Sequence, residues 1–180
     1  MIRPVLAAST IALLSACASG PMMMKPYDQA MLPAAVQVPA GNRVAMETVG
    51  VGQITYECRV KAAMPAEFEW VFVGPDAKLN DRSGKQVGRY FGPPATWESM
   101  DGSKLTATQV AVSPGLAGSI PLQLVKANPA VGSGAMTGTT YIQRVATQGG
   151  VAPAMPCTSG SAGARQIVNY QADYIFYKAM

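Results

Sequence analysis

Histidine is absent from the whole chain of 180 residues. That absence removes Ser-His-Asp and Cys-His catalysis and every histidine-based metal site. It also removes the usual proton shuttle near neutral pH. Charge is scarce too: Asp, Glu, Lys and Arg make up 13% of the chain, and the net +4 is scattered rather than clustered. A nucleic-acid surface needs a basic stripe, so nucleic acid is not an expected partner. No apolar run is long enough for a membrane helix. The stretch Val5–Leu14 has roughly ten residues, where a bilayer span takes about 20. Runs of Ala, Glu, Lys and Leu at helical spacing are missing, and there is no internal repeat. Gly132-Ser133-Gly134 precedes an apolar strand pattern rather than a helix, so it lacks the helix N-terminus of a phosphate cradle. The sequence therefore asks for no cofactor and no bound metal.

What is present is glycine (18), proline (14) and many short apolar runs in a chain that is 49% hydrophobic. That mixture predicts a turn-rich all-β protein, and the length suits one domain. The centre of the pattern is Gly52–Lys104. Ile54, Tyr56, Cys58 and Val60 alternate with Gln53, Thr55, Glu57 and Arg59, as in a sheet with one wet side. After a connection over 61–66, Phe68, Trp70 and Phe72 alternate on a second strand ending at Gly74-Pro75. A six- to seven-residue hairpin loop is expected between the two. Further strands are expected at Val36–Val38, Arg43–Val49, Val87–Phe91, Thr96–Glu98, Lys104–Ser113, Ile120–Ala127, Thr139–Ala146 and Arg165–Lys178. In the last of these Tyr170, Ala172, Tyr174 and Phe176 share a face. Asn128–Gly138, rich in Gly, Ala and Ser, reads as a mobile loop. Strands at this spacing predict a single β-sandwich or β-barrel-like domain.

The first residues read as an export signal. Arg3 gives the positive start and Val5–Leu14 the apolar segment. Leu14-Ser15-Ala16-Cys17 then resembles the bacterial lipobox: small residues fit the peptidase, and the cysteine thiol accepts the lipid. The expected organisation is a signal peptide over 1–16, a lipidated Cys17 with a flexible tether over 17–33, and the β domain over 34–180. Ala18, being other than Asp, implies by resemblance to Gram-negative lipoproteins an outer-membrane anchor facing the periplasm. Cys58 and Cys157 remain, and in an oxidising envelope they are expected to pair. The alternative is a reactive thiol at either position.

Candidate functional residues are few. Glu98 and Asp101 lie three apart and form a carboxylate pair of the kind that hydrolyses glycosides. An ordinary turn at Asp101-Gly102 is the plainer reading. Asp76, Asp81 and Asp101 have no calcium-loop spacing. Trp70, Tyr90, Phe91 and Trp97 could stack on a sugar, but a place in the core is the stronger expectation. Trp97 is the ring expected to be partly exposed. Tyr90, Trp97, Glu98 and Asp101 together form the candidate ligand surface.

Several pieces resemble the domain-of-unknown-function 3455 family of exported bacterial and fungal proteins. They are Val38–Asn42, Gly52–Cys58, Trp70–Pro75, Trp97-Glu98 with Asp101–Lys104, Thr140–Val145 with Gly149-Gly150, and Ala172–Tyr177. The resemblance covers most of 34–177, and implies one exported domain and no particular activity. Some fungal members carry a malate-dehydrogenase label, which this chain does not fit: it has no strand–GxGxxG–helix unit. The expected function is a non-catalytic binding or structural module of the envelope, with a membrane partner through the lipid and an envelope glycan or protein as ligand. A carboxylate-dependent hydrolase of envelope glycans is the alternative.

Overall fold

A computed structural model describes residues 27–180. The expected signal, Cys17 and the first part of the tether lie outside the described residues. Eight antiparallel strands follow one another around a closed barrel, each paired with its chain neighbours, and the last closes on the first. They are β1 (Asn42–Lys61), β2 (Met64–Asn80), β3 (Gln86–Phe91), β4 (Thr96–Ser99), β5 (Lys104–Ser113), β6 (Leu122–Ala127), β7 (Thr139–Gly149) and β8 (Arg165–Ala179). Of the two all-β architectures expected, the barrel is the one formed. Closure leaves no exposed edge around the ring.

Period-two alternation fills the lumen. Ile54 and Tyr56 of β1, Ala77 and Leu79 of β2, Tyr90, Trp97, Leu105, Val125 and Ile142 all point inward. Tyr170, Ala172, Tyr174 and Phe176 join them from β8, as their shared face predicts. Tyr90 stacks on Trp97 with ring centroids 4.5 Å apart, and Tyr174 packs against both.

The long strands differ from expectation. Gly50-Val51-Gly52 and Gly74-Pro75 do not break the chain; they lie inside β1 and β2. Ladder bonds to β2 on one side and β8 on the other hold β1 extended through its glycines. A register shift between Thr55 and Tyr56, opposite Phe72 and Gly74, absorbs the irregularity near Pro75. The β1–β2 hairpin is tighter than expected, with Lys61 opposite Met64 and two alanines between. Because β3 pairs with β2 only over Asp76–Asn80, the hairpin extends past the barrel as a two-stranded ribbon.

Two segments expected to be loose are packed. Val36 belongs to a short 3-10 turn, Ala34–Val36, rather than a strand. With Tyr27, Leu32 and Val38 it covers an outer apolar patch of Leu124, Val145, Ile175 and Tyr177. The segment from Tyr27, expected to continue the tether, is thus a strap on the barrel wall. β8 is buried on both faces from Tyr174 to Tyr177 because the lumen takes one face and the strap the other. The 128–138 loop is likewise fixed. Its Met136 is 1% exposed and plugs one end of the lumen.

The expected disulfide is formed between Cys58 and Cys157, with Cα atoms 5.5 Å apart. It ties the irregular segment after β7 to the ribbon. Trp70 adds a second tie, its indole N–H donating to the Met155 carbonyl at 2.8 Å.

Candidate functional site

The barrel wall carries a groove of about 680 Å³ on its outer side, within the usual range for ligand clefts. It crosses four strands, β2, β1, β8 and β7, in two cross-strand rows. One row is Lys78, Val51, Gln171 and Gln148. The other is Asp76, Gln53 and Asn169. All of these alternate with lumen residues, so their side chains point outward.

The inner side explains why the wall is dented here. Behind the groove the lumen positions are Gly50, Gly52, Ala77 and Ala172, four of the smallest residues. A Cβ on Gly50 would stand 2.6 Å from the Tyr174 ring. One on Gly52 would meet the Asp76 carbonyl oxygen, and Ala77 Cβ at 2.6 Å. At Gly50 the wall thus lies directly on the Tyr174 ring, and at Gly52 β1 lies closer to the β2 backbone than a side chain would allow; the outer surface over these positions is concave.

Apart from Val51 the outward side chains of the two rows are amides or charged groups, with one charge of each sign, over a floor that includes glycine and alanine. Gln53 donates through Nε2 to Asn169 Oδ1 at 3.3 Å, fixing that pair across β1 and β8. Gln148 and Gln171 face each other from β7 and β8. Among the described residues, neither Asp76 nor Lys78 belongs to an ion pair. Val51, 46% exposed, is the apolar centre of its row.

The residues predicted as a ligand surface lie elsewhere and do not converge. Trp97 is 2% exposed and Tyr90 5%. Both rings are core, and the expected exposure of Trp97 is corrected: β4 turns it inward, where Tyr90 and Tyr174 cover it. Glu98 points outward and pairs with Arg89 at 3.3 Å. Asp101 serves its own turn. Its Oδ1 accepts from the Ser103 hydroxyl and amide at 2.6 and 2.9 Å, and its Oδ2 from the Ala135 amide at 2.7 Å. These bonds, the Ser103 hydroxyl first, lower its pKa to about 2. A glycosidase acid requires the opposite shift. Among the described residues no group of three or more acidic or cysteine side chains is placed to hold a metal.

Sequence reasoning did not single out the groove. Its signal was present: polar residues at Gln53, Asn169 and Gln171 on the wet face, with unusually small residues at alternate positions behind them. Recognising the site also required knowing that β1, β2 and β8 are neighbours.

Fold and site together define an up-and-down β-barrel with an amide-edged groove in its outer wall and a lumen packed with side chains. By sequence the chain belongs to the family described as "Protein of unknown function (DUF3455)", which matches residues 39–178. The match begins at Pro39, after the strap, and ends within β8. No curated protein and no solved structure matches the chain.

Proposed function

We propose that this protein is a lipid-anchored module of the bacterial cell envelope that binds a ligand in its outer groove and does not transform it. The observation that carries the reading is the groove itself: a concavity of about 680 Å³ edged by amide side chains, with small residues on its hidden side. The Cys58–Cys157 bond supports an oxidising compartment. The lipobox-like Leu14–Cys17 supports an anchor, which we assign to the periplasmic face of the outer membrane from Ala18. Acylation at one cysteine by several chains gives firm attachment.

Two measurements test this reading. Cys17→Ala should move the protein from the membrane fraction to the soluble periplasm; retention in the membrane would remove the anchor. A thermal-shift screen of the full chain with envelope fragments should give a saturable shift that Asn169→Ala/Gln171→Ala abolishes. A ligand at 100 times its Kd stabilises by about 2.7 kcal/mol. Mass spectrometry should then recover the ligand unchanged, and a cleaved product would overturn the non-catalytic part.

A further inference from the structure

We infer that the groove takes a neutral, hydroxyl-rich ligand, a short stretch of glycan carrying no net charge. This rests on the reading of the groove as a ligand site and names what the site selects.

The argument begins with the donor set. Four primary amides, Gln53, Gln148, Asn169 and Gln171, line the groove. Each carries one acceptor oxygen and two donor hydrogens on a planar group; the Gln53–Asn169 bond uses one hydrogen of Gln53 and one lone pair of Asn169 and leaves the rest for a ligand. Such groups match vicinal hydroxyls, which both donate and accept, and match acetamido groups in the same way. A phosphate or carboxylate ligand presents acceptors alone and leaves the amide oxygens unsatisfied.

Charge points the same way. Asp76 and Lys78 are the charged groups of the lining, one of each sign, on the same face of β2. Their sum is zero, so the groove attracts neither anions nor cations over distance. The lining contains no Phe or Trp, and its one tyrosine, Tyr170, turns its ring into the lumen at 4% exposure. A ligand that depends on face stacking, such as a nucleobase, therefore finds no platform. Val51 is the one large aliphatic side chain of the lining, set among glycine and alanine surface, and together they offer a contact for the C–H face of a sugar ring.

The spacing suits a polymer segment. The rows run across strands about 4.8 Å apart, so the paired amides Gln171 and Gln148, and Gln53 and Asn169, meet groups on neighbouring rings rather than adjacent hydroxyls of one ring. Closure of the sheet and the Gln53–Asn169 bond hold the lining in place before the ligand arrives, which limits the ordering cost of binding.

The test is a two-dimensional amide NMR titration of the full chain, in detergent with its disulfide formed. The probes are N-acetylglucosamine oligomers, maltooligosaccharides, and inorganic phosphate with acetate as charged controls. The expected result is saturable shifts of Gln53, Gln148, Asn169 and Gln171 with at least one neutral oligosaccharide, unchanged between pH 5.5 and 8. Asn169→Ala/Gln171→Ala should weaken this binding at least tenfold while keeping the parent spectrum elsewhere. Groove shifts produced by the charged probes alone would overturn the glycan assignment and leave the groove a ligand site. No groove shift with any of these probes also overturns the glycan assignment. If envelope fragments likewise leave the melting temperature unmoved, the binding-site reading falls with it.

Discussion

Gln143 shows how one side chain can fasten a segment to the barrel. It is fully buried, with every polar atom engaged. Its Oε1 accepts from the Tyr177 and Tyr27 hydroxyls at 2.8 and 3.1 Å. Its Nε2 donates to the Val36 carbonyl and to Gln29 Oε1 at 2.7 and 2.9 Å. Removing it strands buried partners, which costs about 1–3 kcal/mol. Gln143→Ala should therefore lower the urea midpoint and raise amide exchange over the 27–38 strap first. If the strap exchanges no faster than in the parent protein, Gln143 is not its fastener. Asp101 makes a second prediction. Its folded pKa is depressed, so its contribution is present above the unfolded value near 4 and is lost as pH falls toward 2. Urea midpoints measured from pH 5 to 2 should decline in that window, and Asp101→Asn should flatten the decline. The same substitution should release the loop holding Met136, seen as faster exchange at Ala135 and Met136.

Among the elements, β1 does the most structural work. Twenty residues long, it pairs with β8 over Asn42–Glu57 and with β2 over Val49–Lys61, and it carries Gly50 and Gly52 behind the groove. Adding a side chain at Gly52 forces β2 outward, because backbone and not a flexible tip stands in the way. Overpacking of this kind costs about 1–3 kcal/mol. Gly52→Val should lower the melting temperature accordingly and abolish ligand-induced shifts. A variant as stable as the parent would show that the wall yields at this point. The loop after β6 illustrates a different lesson. Its Gly, Ala and Ser composition reads as mobile, yet Gly134 lies against the Asp101 carboxylate, where a Cβ would collide. Small residues there permit close docking rather than freedom.

Over the whole molecule, stability depends on one crosslink joining residues 99 apart in sequence. Constraining a loop of that length in the unfolded chain is worth up to about 4.7 kcal/mol, and commonly 2–5 kcal/mol is lost on removal. Cys58→Ala/Cys157→Ala should show that loss in urea unfolding, and reductant should then have no further effect. A double variant as stable as the oxidised parent would mean the unfolded chain is already compact there. Local exchange should rise in the ribbon and in 151–163 before the closed ring opens, since the ring does not depend on the bond.

The sequence by itself determined the fold class, the pairing of Cys58 with Cys157, most turns, and the inward face of β8. Those features follow from local rules: alternation at period two, turn residues at Asn80–Lys85 and Met100–Ser103, and two cysteines within the described residues. Tertiary structure decided the rest. Whether alternating strands close into a barrel or stack as a sandwich depends on which distant strands meet, and here β1 meets β8. Gly50-Val51-Gly52 reads as a break until two neighbours supply its ladder. Tyr90 and Trp97 look like a ligand surface until Tyr174, more than 70 positions on, covers them. The groove exists because small residues on β1, β2 and β8, far apart in the chain, fall side by side behind a row of amides. That is long-range registry, and no local window of sequence contains it.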